Sequence, residues 1–136
     1  MSSPETTSQE VDTLIIGAGF AGLCMAIKLQ QQGRSDFLVL EREADLGGTW
    51  LINDYPGCAC DVHSHLYSYS FEPNPNWSRM FSPQQEIWQY QKHCAQKYGV
   101  EQAIRSAAMC ARRVLTSAAA AGSCRPTRAS TTARGC

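Results

Sequence analysis

The most constraining feature of this chain is the stretch VDTLIIGAGFAGLCMAI, residues 11–27, in which Gly17, Gly19 and Gly22 stand at G-x-G-x-x-G spacing. An apolar run precedes the glycines and apolar residues at helical spacing follow them, which describes a strand turning sharply into a helix. Gly17 permits the tight turn, Gly19 lets the backbone approach a diphosphate, and Gly22 lets the helix pack close to the strand. The anion then rests on free N–H groups at the positive end of the helix, with Phe20 and Ala21 inside the cradle.

Glycine-rich turns also occur without a ligand, so the spacing needs support. Residues 11–16 read as a buried strand, Leu23, Ala26, Ile27 and Cys24 give the helix an apolar face, and Gly33 suits a C-terminal cap. Residues 37–40, FLVL, read as a second strand ending in Glu41, nineteen residues beyond Gly22. A carboxylate placed there can accept both ribose hydroxyls of an adenosine. The pattern predicts an α/β chain with a Rossmann-like βαβ unit and a parallel sheet. The bland alternative is an ordinary α/β turn with no nucleotide.

At 136 residues the chain has the size of one domain, and 43% hydrophobic content is normal for a globular protein. The formal charge of zero argues against a nucleic-acid or membrane partner, but it averages two unlike halves. All twelve acids lie at or before Glu101, whereas residues 102–136 carry six arginines and no acid, and the last aromatic residue is Tyr98. The opening MSSPETTSQE has neither a basic nor an apolar signal region, and the apolar run at 14–27 is too short and too glycine-broken for a membrane span. A cytoplasmic location is expected. Seven cysteines without a C-x-x-C pair fit reduced thiols better than a disulfide framework.

Residues 1–10 are expected to be a disordered lead-in. The excursion from Glu41 to Ser82 has no long helical period, and so long a connection inside a compact domain suggests function. Within it His65, Tyr67, Tyr69 and Phe71 alternate with Leu66, Ser68 and Ser70, which predicts a strand with one aromatic face. That face either packs in a sheet or lines a pocket. Ser82, Pro83 and Gln85 read as N-cap, first helical residue and capping-box partner of a helix that runs to Tyr98, buries Ile87, Trp88, Cys94, Ala95 and Tyr98, and stops at Gly99. That helix is expected to be scaffold. Val100 to Arg105 begin another strand, after which the alternation fails.

The residues now carry a resemblance. GAGFAG with Glu41, then GGTW at 47–50, then DYPGCACDVHSHLYS at 54–68, then FSPQQEIWQY at 81–90, together resemble the amino-terminal part of Baeyer-Villiger monooxygenases, relatives of the flavin-containing monooxygenases. The likeness covers about residues 11–105. It implies an enzyme that binds FAD, takes reducing equivalents from NADPH, and inserts one oxygen atom of O2 beside the carbonyl of a small-molecule ketone. By the same resemblance Gly17, Gly19, Phe20, Ala21 and Gly22 hold the FAD diphosphate, with Glu41 and Arg42 at the adenosine ribose. Gly48, Thr49, Trp50 and Tyr67 lie along the cofactor, and Asp61 lies near the flavin ring as a catalytic residue paired with an arginine from a later part of the enzyme.

Residues 11–105 are thus expected to form a partial FAD-binding domain, incomplete at its C-terminal end, and residues 106–136 a low-complexity basic tail that is frame-shifted or disordered. A basic Ala-rich helix between 104 and 121 is the alternative for that tail. A second glycine motif for NADPH is absent from the sequence, so the chain is expected to be truncated and inactive alone. Three rival readings stay open. One is a different FAD- or NAD(P)-binding oxidoreductase, one a non-catalytic nucleotide-binding piece, and one a metal site at Cys58, Cys60, His63 and His65, whose spacing is tight for zinc.

Overall fold

The computed structural model describes residues 10–115 and 122–128, with side chains through residue 108. Apart from Glu10, the expected lead-in lies outside them. Strand β1 (Thr13–Ile16) runs into helix α1 (Phe20–Gln31), which returns the chain to β2 (Phe37–Leu40). β1 and β2 pair in parallel from Thr13 opposite Phe37 to Ile16 opposite Leu40. β3 (Ile104–Arg105) adds to the other side of β2, again parallel, giving the order β1-β2-β3. This is the expected βαβ unit of a Rossmann-like sheet.

Helix α1 forms because Leu23, Ala26 and Ile27 recur on one side and are wholly buried there. Burial of a Leu or Ile side chain stabilises by about 1.5–3 kcal/mol. The helix ends where Gly33 adopts a φ of 74° and Arg34 N–H donates to the Leu29 carbonyl at 3.0 Å, a glycine-terminated cap of the kind the sequence suggested.

Between β2 and the next long helix, α3 (Gln84–Lys97), the chain forms one short helix, α2 (Thr49–Ile52), and a 3-10 turn at Ser64–Leu66. The aromatic strand predicted at 65–71 is not there. Tyr69 makes only an isolated bridge to Glu72. Its ring instead lies 5.3 Å from Phe20 and 4.9 Å from Phe71, because burial against α1 and α3 offers these rings more than a strand edge would.

α3 spans Gln84–Lys97. Its start corrects the expected capping box by one residue: extended Pro83 is the N-cap, and no side chain caps the helix. Buried Ser82 is drawn away, its hydroxyl donating to Ser64 Oγ at 2.7 Å. Ile87, Cys94 and Ala95 are buried as expected, but the other buried positions are Tyr90 and Gln91, while Trp88 and Tyr98 are half-buried. The main core lies between this helix, α1 and the sheet, and includes Leu23, Ile27, Val39, Cys94 and Val100.

Two strands are described within residues 106–136, the stretch expected to be a low-complexity basic tail. β4 (Ala108–Leu115) and β5 (Gly122–Arg128) pair antiparallel as a separate two-stranded sheet. The amides of Ala107 and Ala108 donate to the carbonyls of Glu43 and Glu41 at 2.7 and 2.8 Å, which carries the chain past the end of β2 into this hairpin. No helix among the described residues is long and apolar enough to cross a membrane.

Glu72 fastens the long excursion to α3. Its carboxylate accepts Lys97 Nζ at 2.7 Å and the Tyr98 hydroxyl at 2.8 Å, with His93 Nε2 at 3.6 Å, and these partners, Lys97 first, hold its pKa below the ordinary 4.5. A depressed carboxylate contributes stability above its ordinary pKa and loses it as the pH falls through the lower folded value. Urea midpoints measured from about pH 6 down to about pH 3 should therefore fall less steeply in Glu72→Gln than in the unsubstituted chain. Equal slopes would show that the Lys97 contact does not shift Glu72.

Candidate functional site

The glycine turn sits at the carboxyl ends of β1 and β2. Gly17 leaves β1 with a φ of 93°, and its N–H donates to the Leu40 carbonyl at 2.8 Å. Gly22 has no room for a side chain, since a Cβ there would stand 1.9 Å from the Gly17 carbonyl oxygen. Gly19 meets a different neighbour. Gly48 of the GGTW segment lies against it, and a Cβ on Gly48 would come 3.1 Å from the Gly19 Cα. Two glycine segments far apart in sequence thus form one backbone surface.

Amide by amide, the turn divides into occupied and open groups. Ala18 N–H donates to Glu41 Oε2 at 2.6 Å, and Leu23 N–H to the Gly19 carbonyl at 3.0 Å. The N–H groups of Gly19, Ala21 and Gly22 have no partner among the described residues. Three open donors at the start of a twelve-residue helix are suited to an anion.

Glu41 stands where the sequence placed it, directly after β2, and is buried. Its carboxylate also accepts the Glu43 amide at 2.9 Å, leaving part of its acceptor capacity free. Neighbouring Arg42 is exposed, its Nε donating to Glu43 Oε1 at 2.8 Å.

The aromatic residues expected along a cofactor pack inward. Phe20 contributes only backbone to the turn, since its ring lies edge-on to Tyr67 at 5.3 Å. Trp50 is buried beside Cys58, Cys60 and Ile87, and its indole N–H donates to the Tyr67 hydroxyl at 3.0 Å. Thr49, the first residue of α2, is exposed, and its carbonyl accepts the Asn53 amide.

Asp61, expected near a flavin ring, is exposed. Cys60 turns inward beside Trp50, so Asp61, next in an extended loop, turns out to solvent without a partner among the described residues. A cavity of about 250 Å³ nearby is walled by Tyr55, Cys58, Arg79, Phe81 and Gln84 and includes neither Asp61 nor the glycine turn. Cys58, Cys60, His63 and His65 do not gather as a metal-binding group among the described residues. Cys60 Sγ donates to the Val62 carbonyl instead, and His63 packs 5.2 Å from Phe81.

Sequence reasoning missed the role of α3. Lys92 Nζ reaches Asp45 Oδ2 at 2.7 Å, Trp88 Nε1 donates to the Leu46 carbonyl at 2.8 Å, and Gln84 Nε2 donates to the Trp50 carbonyl. These side chains recur at one face of the helix and grip the segment that carries Gly48. The signal in the sequence was a set of polar donors at helical spacing.

Residues 15–83, about half of the chain, match the family described as the NAD(P)-binding Rossmann-like domain. The chain belongs to this family. Among Rossmann-like relatives, a Baeyer-Villiger monooxygenase of Pseudomonas aeruginosa is 58% identical over 88 residues, 65% of this chain and 17% of its own length. Another, of Streptomyces coelicolor, is 50% identical over 105 residues, 77% of this chain and 20% of its own. The solved structure of an oxidised steroid monooxygenase bound to NADP superimposes with a TM-score of 0.83 at 33% identity, covering 90% of this chain and 24% of that one. The chain therefore spans about a fifth of the length of the curated relatives it matches. The resemblance to the amino-terminal part of Baeyer-Villiger monooxygenases holds.

The glycines should separate on substitution. Gly22→Ala forces the turn and α1 apart and should cost about 1–3 kcal/mol or more in denaturant unfolding. Gly19→Ala, whose new Cβ would meet its nearest neighbour at an ordinary 3.6 Å, should cost less than about 1 kcal/mol. Similar losses at the two positions would contradict this packing.

Proposed function

We propose that this chain is the FAD-binding portion of an NADPH- and O2-dependent flavoprotein monooxygenase of Baeyer-Villiger type, which inserts oxygen next to the carbonyl of a small-molecule ketone. The observation that carries the reading is the set of open amides at Gly19, Ala21 and Gly22 beside the Glu41 carboxylate, on a surface kept bare by Gly19 and Gly48. A diphosphate fits that surface, and a ribose fits the free acceptor capacity of Glu41. The residues present fit the adenosine diphosphate half of FAD.

Bound FAD supplies the electron transfer and oxygen chemistry. The residues of this chain bind and orient. The three amides hold negative charge at the helix N-terminus, and Glu41 fixes the sugar through charge-assisted hydrogen bonds. Half-buried Tyr67 accepts the indole N–H of buried Trp50 and so fixes the end of the GGTW segment. Asp61, exposed and unpaired among the described residues, is the carboxylate we assign to an arginine from a later part of the enzyme, where the pair would orient the cation at the reacting centre. We place the whole enzyme in the cytoplasm, without nucleic-acid or membrane partners.

A second reading is supported by the family description and by exposed Arg42 next to Glu41, which suit a nicotinamide dinucleotide. Glu41 weighs against it for NADP, because its carboxylate repels a 2′-phosphate.

Isothermal titration should find FAD and ADP binding to the 136-residue chain and NADP binding more weakly. Glu41→Ala should weaken ADP by about 1.5–3 kcal/mol for each charge-assisted bond lost. Tight NADP binding with no binding of FAD or ADP would sink the flavin assignment. On this reading the arginine that pairs with Asp61 belongs to a later part of the enzyme, so the chain alone should not sustain NADPH oxidation with added FAD and ketone. Steady turnover by the purified chain would refute that expectation.

A further inference from the structure

Gln91 is a wholly buried polar residue on the face of α3 that also buries Ile87, Cys94 and Ala95. An unbonded carboxamide in such a place is costly, so its partners matter. With its oxygen turned toward α1, the side chain accepts the Phe20 N–H at 3.2 Å and donates to the Gly47 carbonyl at 3.1 Å. Phe20 N–H is the first helical amide of α1, a donor that a helix leaves without an internal partner. Gly47 is the residue before Gly48, and its own N–H donates to the Ala18 carbonyl at 3.0 Å. One side chain therefore ties the helix start to the GGTW segment.

We infer that Gln91 is a positioning residue for the diphosphate: it occupies Phe20 N–H, restricts the anion to the amides of Gly19, Ala21 and Gly22, and holds Gly48 against Gly19. This rests on the dinucleotide reading of the glycine turn. Gln91 acts through backbone groups and does not touch the ligand. Together with Glu41, which takes Ala18 N–H, it decides which donors of the turn remain open. A Leu or Met at this position would fill the same space and leave Phe20 N–H free to rotate the anion toward itself.

Two measurements on the full chain test this. Without ligand, amide hydrogen exchange by NMR should show Phe20 N–H protected at least about tenfold over Ala21 N–H, although both lie in the first helical turn. Equal exchange would overturn the inference even if no variant folds. In Gln91→Met, ADP affinity should fall about tenfold while adenosine affinity is kept, and Cys94→Ala, which loosens the same helix and removes no hydrogen bond to Phe20 or Gly47, should leave the ADP-to-adenosine ratio unchanged. An unchanged ratio in Gln91→Met, or the same change in Cys94→Ala, would overturn the proposal. If the unsubstituted chain binds no ADP, the dinucleotide reading falls and this inference with it. If it binds ADP and Gln91→Met binds as tightly, only the inference falls.

Discussion

Helix α1 can lie on the turn that precedes it only because position 22 carries no side chain. The 1.9 Å that would separate a Cβ from the Gly17 carbonyl oxygen is far inside contact distance, so any other residue drives α1 away from β1. Leu23 and Ile27 reach the sheet from this position and no other, and the helix axis is then aimed so that its open amides stand at the carboxyl ends of β1 and β2. One backbone contact thus sets both the core and the place where an anion can sit. The family's third glycine serves packing first and ligand binding through it.

What the turn lacks is stiffness, and α3 supplies it from a distance in sequence. Gln84, Trp88, Gln91 and Lys92 project from one side of the helix onto residues 45–50, three of them onto successive main-chain carbonyls or the neighbouring carboxylate. A loop without regular structure leaves its carbonyls unsatisfied unless side chains or water meet them. Here an ordered helix meets them, so Gly48 is held where its bare Cα faces Gly19. Glu72 and Tyr90 bind the far end of the excursion to the same helix, with Tyr90 OH donating to the Glu72 carbonyl at 2.7 Å. Burial of Tyr90 and Tyr69 raises both phenols above their usual pKa.

The sequence made the βαβ unit legible because every local signal agreed there: apolar strands, glycine spacing, helical period and a glycine stop at Gly33. It misled where two structures share one pattern. Alternating Tyr67, Tyr69 and Phe71 satisfy strand periodicity, yet the rings are recruited by Phe20 and Tyr90, partners distant in the chain that a local pattern cannot reveal. Ser82 looked like a helix cap because the competing hydroxyl of Ser64 lies eighteen residues away. Gln91 was invisible for a related reason. A glutamine in a helix reads as solvent-facing until the fold shows that it is buried.

The same distinction bears on the candidate site. Residues whose task is done by backbone or by a neighbouring strand end, such as Gly19, Gly22 and Glu41, stand where the motif put them, because the motif itself builds their surroundings. Asp61 and Trp50 depend on what the loop packs against. Trp50 takes the interior, where its indole N–H has the Tyr67 hydroxyl as partner, and the alternation of the loop then sends Cys60 in and Asp61 out. A carboxylate left in solvent keeps its hydration and asks for no partner within this part of the chain. In the monooxygenase reading its role requires an arginine brought over the loop from elsewhere, which would bury both charges together. On that reading the nucleotide cradle is built from groups this chain supplies and the reacting end from groups elsewhere. Affinity for the adenosine diphosphate half and competence for oxygen transfer would then be separable properties of the proposed enzyme, carried by different lengths of polypeptide.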